Sequence, residues 1–173
     1  RYAQQQPGLQ GFDLSRGSAL SDAFLDQLGA RCPKLQHLHL CSPSNTITQE
    51  GLLRFLRSFA TLKSLTLDAG FRDLWTRAAF RAVAKYTDLE LLHLSAIHDD
   101  WIQGDEPVFP SLKHLYTVIS TSGVGLLSRI LPNLATFHAT VLQPCTSLES
   151  FANYPRLQDL RLRFEGSASF GGA

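Results

Sequence analysis

Methionine is absent from the 173 residues, and cysteine occurs three times, at Cys32, Cys41 and Cys145. Without methionine the chain does not begin at an initiator, and we read it as a piece of a longer protein. Three cysteines cannot all pair within one chain and are few for a secreted scaffold, which points to a reducing compartment, cytoplasmic or nuclear. Excess charge is missing too: 16 basic against 15 acidic residues leave a net +1. No global field therefore favours nucleic acid or anionic lipid. No apolar run reaches the ~18 residues of a membrane span. Residues 1–8 lack the charged-then-apolar layout of a signal peptide. Nor is there a Gly-rich phosphate loop, a zinc-ligand spacing or a nucleophile elbow, so no catalytic, cofactor or metal role is predicted.

What is present is an apolar rhythm. Leu35-Gln36-His37-Leu38-His39-Leu40 places apolar residues at relative positions 1, 4 and 6. The frame returns at Leu62/Leu65/Leu67 and Leu89/Leu92/Leu94, and with weaker third positions at Leu112/Leu115/Thr117 and Leu134/Phe137/Ala139. It closes at Leu157/Leu160/Leu162, and an earlier copy fits Leu9/Phe12/Leu14. First positions fall at 9, 35, 62, 89, 112, 134 and 157, giving steps of 26, 27, 27, 23, 22 and 23 residues. All six steps lie in the roughly 20–29-residue range of leucine-rich repeats.

Helical patterns separate the copies. Leu20, Phe24 and Leu28 share a face, with Ser18 or Ser21 as cap. Leu52, Phe55, Leu56 and Phe59 follow the same period behind a Thr48 cap, and Trp75, Ala79, Ala82, Val83 and Tyr86 form the third such face. The shorter later copies leave room for about two turns, at 124–131 and 147–153, partly as 3-10 helix. One strand-plus-helix unit cannot bury its apolar side alone, so neighbours must stack on it. Strands lie ~4.8 Å apart whereas helices need ~10 Å, so the array is predicted to curve. The expected fold is an α/β leucine-rich-repeat solenoid of about seven repeats in a single domain, with a parallel sheet on the concave side, helices on the convex side and a flexible tail at 165–173.

At Cys32-Pro33-Lys34-Leu35-Gln36-His37-Leu38-His39-Leu40, followed by Ile47-Thr48-Gln49-Glu50-Gly51-Leu52, the sequence resembles the cysteine-containing leucine-rich repeat of the ribonuclease-inhibitor-like superfamily. Leu20-Ser21-Asp22-Ala23-Phe24-Leu25 echoes the same helix start. The irregular later copies are similar to those of fungal F-box/leucine-rich-repeat proteins. The resemblance implies a non-catalytic protein-interaction module, the substrate-recognition region of an SCF-type ubiquitin ligase receptor. No F-box is visible here, so a Skp1-like adaptor would bind through a segment outside this chain. A GTPase-activating or other regulatory repeat protein, and a structural spacer, remain open alternatives.

If the leucines point inward, positions 3, 5 and 7 face outward, because strand side chains alternate. Position 3 carries His37, His114 and Asp159. Position 5 carries Asp13, His39, Thr66, His93, Tyr116, His138 and Arg161. Position 7 carries Cys41, Asp68, Ser95 and Arg163. His37, His39, Thr66, Asp68, His93, His114, Tyr116, His138, Arg161 and Arg163 form the predicted contact face for a protein partner. Tyr116 lies near its centre and the two arginines at one end, since Tyr and Arg favour such anchors. A competing reading makes these residues the plain polar cover of an open sheet. His39 and His93 flank the Thr66 strand, ~10 Å apart, which argues against a metal site.

Trp101 lies in an acidic segment, 97–106, that breaks the helical rhythm. It is either a loop contact for the partner or a residue folded back over the core edge. Cys32 is expected to pack beneath a turn. Cys41 and His39 are next-but-one on a strand, ~6.5–7 Å apart, which predicts no hydrogen-bonded dyad. Arg54, Arg57, Arg72, Arg77, Arg81 and Lys85 are assigned to a solvated basic helical side, with no nucleic-acid role.

Overall fold

The structure, a computed structural model, describes residues 8–14, 20–41, 46–102, 108–142 and 149–165. Each copy of the frame forms one strand: β1 (Gly11–Leu14), β2 (His37–Leu40), β3 (Ser64–Leu67), β4 (Leu91–His93), β5 (His114–Ile119), β6 (Thr136–Val141) and β7 (Asp159–Phe164). They build one sheet in chain order, parallel throughout. Among the described residues four α-helices lie between them: α1 (Asp22–Arg31), α2 (Gln49–Arg57), α3 (Arg77–Val83) and α4 (Thr121–Leu127). Short 3-10 helices occupy Ala69–Leu74, Asp99–Trp101 and Glu149–Asn153.

The helices start where a hydroxyl can satisfy a free amide. Ser21, Thr48, Thr76 and Ser120 accept hydrogen bonds from the amides of Phe24, Gly51, Ala79 and Gly123, each three residues on. Ser21 and Thr48 are the expected caps. Thr76 moves the third helix past Trp75, which instead closes the preceding 3-10 helix. Ser120 starts α4 three residues before the expected 124. The last connection is 3-10, in line with its short length.

Inward leucines of the strands and apolar residues of the helices form one continuous core. Leu38, Leu65, Leu92, Leu115 and Phe137 are all at most 1 % exposed. Phe55, Phe71, Phe80 and Phe109 fill the space behind them. Cys32 is buried at the end of α1, as expected. The stacking frays at β7, where Leu160 and Phe164 stay substantially exposed.

Two kinds of polar link tie neighbouring units at four of the junctions. The Tyr86 hydroxyl donates to the Leu56 carbonyl in the last turn of α2. The Tyr154 hydroxyl does the same for Val124 in α4, at 2.5 Å. The Asp22 carboxylate accepts from the Thr48 amide at 2.9 Å and the Thr48 hydroxyl at 2.7 Å. Asp99 likewise accepts from the hydroxyls of Ser120 and Ser122. Gly51 and Gly123 allow these approaches: a Cβ on Gly51 would overlap the Asp22 carboxylate, and one on Gly123 would crowd Asp99 and Ile119.

Candidate functional site

The predicted outward columns are rows across the sheet. Pairing aligns Asp13, His39, Thr66, His93, Tyr116, His138 and Arg161 from β1 to β7. A second row joins His37, Ser64, Leu91, His114, Thr136 and Asp159. These residues are exposed or half-buried while their strand neighbours from β2 to β6 are buried. They therefore face away from the core. Ser95 departs from its column and is buried. Beyond β4 the amides of Leu94 and Ile97 donate to the carbonyls of Tyr116 and Val118, so the chain spends three residues there against two of β5. Ser95 falls in this irregular stretch, where strict alternation no longer holds.

The centre of the first row is aromatic. Tyr116 sits between His93 and His138, with ring centroids at 5.6 Å and 4.9 Å and an edge-on approach of His138. Such pairs add roughly 0.5–1.5 kcal/mol beyond burial, so the three rings form a preset platform. They line an open depression of about 440 Å³ over β4 to β7, edged by Arg161 and Arg163 from β7 and by Arg72. Its described lining includes no Asp or Glu. Of the predicted contact face, His93, Tyr116, His138, Arg161 and Arg163 come together here. His37, His39, Thr66, Asp68 and His114 share the face but lie outside the depression.

Arg72 is a correction. It belongs to the rim of this depression and not to the basic helical side. It sits in the 3-10 helix that follows β3 directly, where Asp68 caps the turn by accepting from the Gly70 amide at 2.9 Å. An Asx-type turn two residues before a Gly keeps the chain at the strand's carboxyl edge. The Asp68-Ala69-Gly70 spacing carried that signal.

Local electrostatics sharpen the picture. Loss of hydration holds the His93 imidazole below the usual histidine range, helped by the charge of His39 and opposed by Asp68. The ring still keeps an exposed edge, so the effect comes from crowding by its neighbours and not from enclosure. Asp159 is held below the usual carboxylate range, first by its hydrogen bond to His138. That contact is 2.9 Å, and Arg161 Nε lies 3.4 Å from the other carboxylate oxygen. A second hollow, about 600 Å³, opens at the amino edge of the sheet. There Lys113 is already paired with Glu90 at 3.2 Å, and Arg156 is the one further charged residue of the described lining.

Trp101 as a partner contact is a second correction. Its ring is 8 % exposed and packs against Phe80 at 6.2 Å and His98 at 4.7 Å. It covers the core edge, and residues 103–107 of its segment fall outside the described residues. So do Cys145 and the tail beyond Glu165.

The third correction concerns Cys41 and His39. Cys41 Sγ lies 3.1 Å from His39 Nε2, and His39 Nδ1 lies 3.4 Å from Asp13 Oδ2. Cys41 follows the last residue of β2, so its side chain can lean back toward the ring in a way that two residues inside a strand cannot. The order acid, imidazole, thiol resembles that of nucleophilic cysteines. Here, however, burial and then the Asp68 carboxylate raise the thiol pKa, favouring the unreactive protonated form. Among the described residues no three His, Cys, Asp or Glu side chains converge on a metal position. No described helix is long and apolar enough to cross a membrane.

No known family model matches this chain, and no curated protein matches it.

Proposed function

We propose that this chain is a leucine-rich-repeat solenoid whose strands line the concave side, and that its open sheet face docks a protein partner without catalysis. The observation that carries the reading is the His93–Tyr116–His138 platform beside Arg161 and Arg163, pre-stacked on the face away from the core. Aromatic and arginine side chains dominate docking energetics because they combine large contact area with directed polar groups. Regular strand pairing fixes their spacing before a partner arrives, which lowers the ordering cost of association. On the F-box resemblance, the face is the substrate-recognition region of an SCF-type receptor in the cytoplasm or nucleus.

The test is affinity capture with cross-linking from the full-length protein. Wild type and a helical-side variant, Arg57→Gln, are expected to hold the same partner, and Tyr116→Ala to lose it. Retention by Tyr116→Ala together with His93→Ala removes the docking reading and favours a spacer. A Skp1-like adaptor in the captured complex supports the ligase role. Capture of a GTPase whose hydrolysis then accelerates replaces it with the regulatory alternative.

A further inference from the structure

We propose that the depression over β4 to β7 takes an extended acidic segment of the partner protein, with carboxylates at its ends and an apolar residue at its centre. This rests on the docking reading above and names the chemistry of what docks.

The charge around this depression is unbalanced. Three guanidiniums edge one depression whose described lining holds no carboxylate. Among the described residues, Arg72 and Arg163 have no carboxylate partner. Arg161 shares Asp159 at a long 3.4 Å while its side chain remains 74 % exposed. Arg54 and Lys113, by contrast, hold Asp26 and Glu90, each at 3.2 Å. Guanidiniums left in this state suit carboxylates, which they bind through paired N–H donors.

The charges also sit at two ends. Arg72 follows β3, and Arg161 and Arg163 lie on β7. Four strand spacings of ~4.8 Å separate those strands, about 19 Å in all. An extended peptide at ~3.3 Å per residue covers that distance in about six residues. Between the ends it meets Tyr116 with its flanking histidines, a surface that suits an apolar or aromatic side chain.

A long polyanion fits less well. The same outward face carries Asp13 and Asp68 at its β1–β3 end. A nucleic acid laid along the sheet would run over both carboxylates, whereas a six-residue segment stops at the β3 edge, short of Asp13.

The experiment uses fluorescein-labelled Glu-Asp-Leu-Phe-Asp-Glu, its amide counterpart Gln-Asn-Leu-Phe-Asn-Gln, and a six-nucleotide RNA, with the full chain at low and at physiological salt. The acidic peptide is expected to bind at least about tenfold more tightly than the amide peptide and to weaken with salt. Arg161→Gln with Arg163→Gln, and separately Arg72→Gln, are expected to weaken it about tenfold or more. All three side chains are exposed, so circular dichroism should show the fold kept. Arg54→Gln is expected to change binding less than about twofold. Equal binding of the amide peptide, tighter binding of the RNA, or indifference to the three arginines overturns the proposal. A partner lost with Tyr116→Ala yet held by the arginine variants leaves the docking face standing and sinks its acidic assignment.

Discussion

Tyr154 reaches back thirty residues to donate its hydroxyl to the Val124 carbonyl, as Tyr86 does to Leu56. Each accepting carbonyl lies in the last turn of a helix, where the chain offers no amide of its own. Tyr86→Phe and Tyr154→Phe keep the ring and strand that carbonyl. Each is expected to cost about 1–3 kcal/mol in urea denaturation, the usual penalty for a buried acceptor left unmade. A change below about 0.3 kcal/mol would show that water replaces the hydroxyl freely.

The same tyrosines set an alkaline limit. Burial raises both phenol pKa values far above the usual one near 10. Their stabilising effect is complete below the unfolded value and declines as pH rises past it, because the unfolded chain then releases protons that the folded chain keeps. Stability should fall above about pH 10, and less steeply in the double Phe variant. Parallel pH curves for the two proteins would refute this.

Gly51 and Asp22 should be energetically coupled. Ala at position 51 adds helix propensity worth roughly 1 kcal/mol, but its methyl overlaps the carboxylate that holds Thr48. Gly51→Ala is therefore expected to destabilise by about 1–2 kcal/mol in the wild type and to stabilise in an Asp22→Ala background. Additive effects in that double-mutant cycle would mean that Asp22 swings aside without loss.

The Cys41 thiol should react slowly. Its pKa is raised first by burial and next by Asp68, so the thiolate is scarce at neutral pH. Peptide-level mass spectrometry after iodoacetamide at pH 7.5 should show modification slower than that of an exposed cysteine peptide, and Asp68→Asn should speed it. Alkylation faster than that peptide would mean that His39 removes the proton after all.

On β7, at the other end of the sheet, Asp159 is held down chiefly by its hydrogen bond to His138. Its contribution to stability is present above the unfolded carboxylate pKa and fades as pH falls through the lowered folded one. Carboxyl-detected NMR should place Asp159 below the usual range, and His138→Asn should raise it. A titration unmoved by that substitution would remove the bond.

The strands were legible because a period of two, repeated at steps of 22 to 27 residues, leaves one consistent inside and outside. Leu38, Leu65 and Leu92 are paired neighbours as the frame requires. The site was half legible. Tyr116 and Arg161 follow from alternation alone, whereas Arg72 depends on a 3-10 helix without apolar periodicity. Ser95 is buried beyond the end of β4, where one extra residue breaks alternation, a local event that the frame does not record. Trp101 illustrates a different ambiguity: an aromatic in an acidic segment suits a partner or a core edge equally, and only Phe80 behind it decides. The Cys41–His39 contact arises because the strand stops between the two residues, and strand ends are poorly marked by pattern.

Asp22 and Asp99 have one more effect. The start of a helix attracts phosphate and other anions through its free amides. Beside the starts of α2 and α4 a carboxylate from the preceding unit is already in place, held by the Thr48 amide and hydroxyl in one case and by the Ser120 and Ser122 hydroxyls in the other. An anion approaching either helix start meets that negative charge first. The guanidinium-edged depression on the sheet presents no such carboxylate in its described lining.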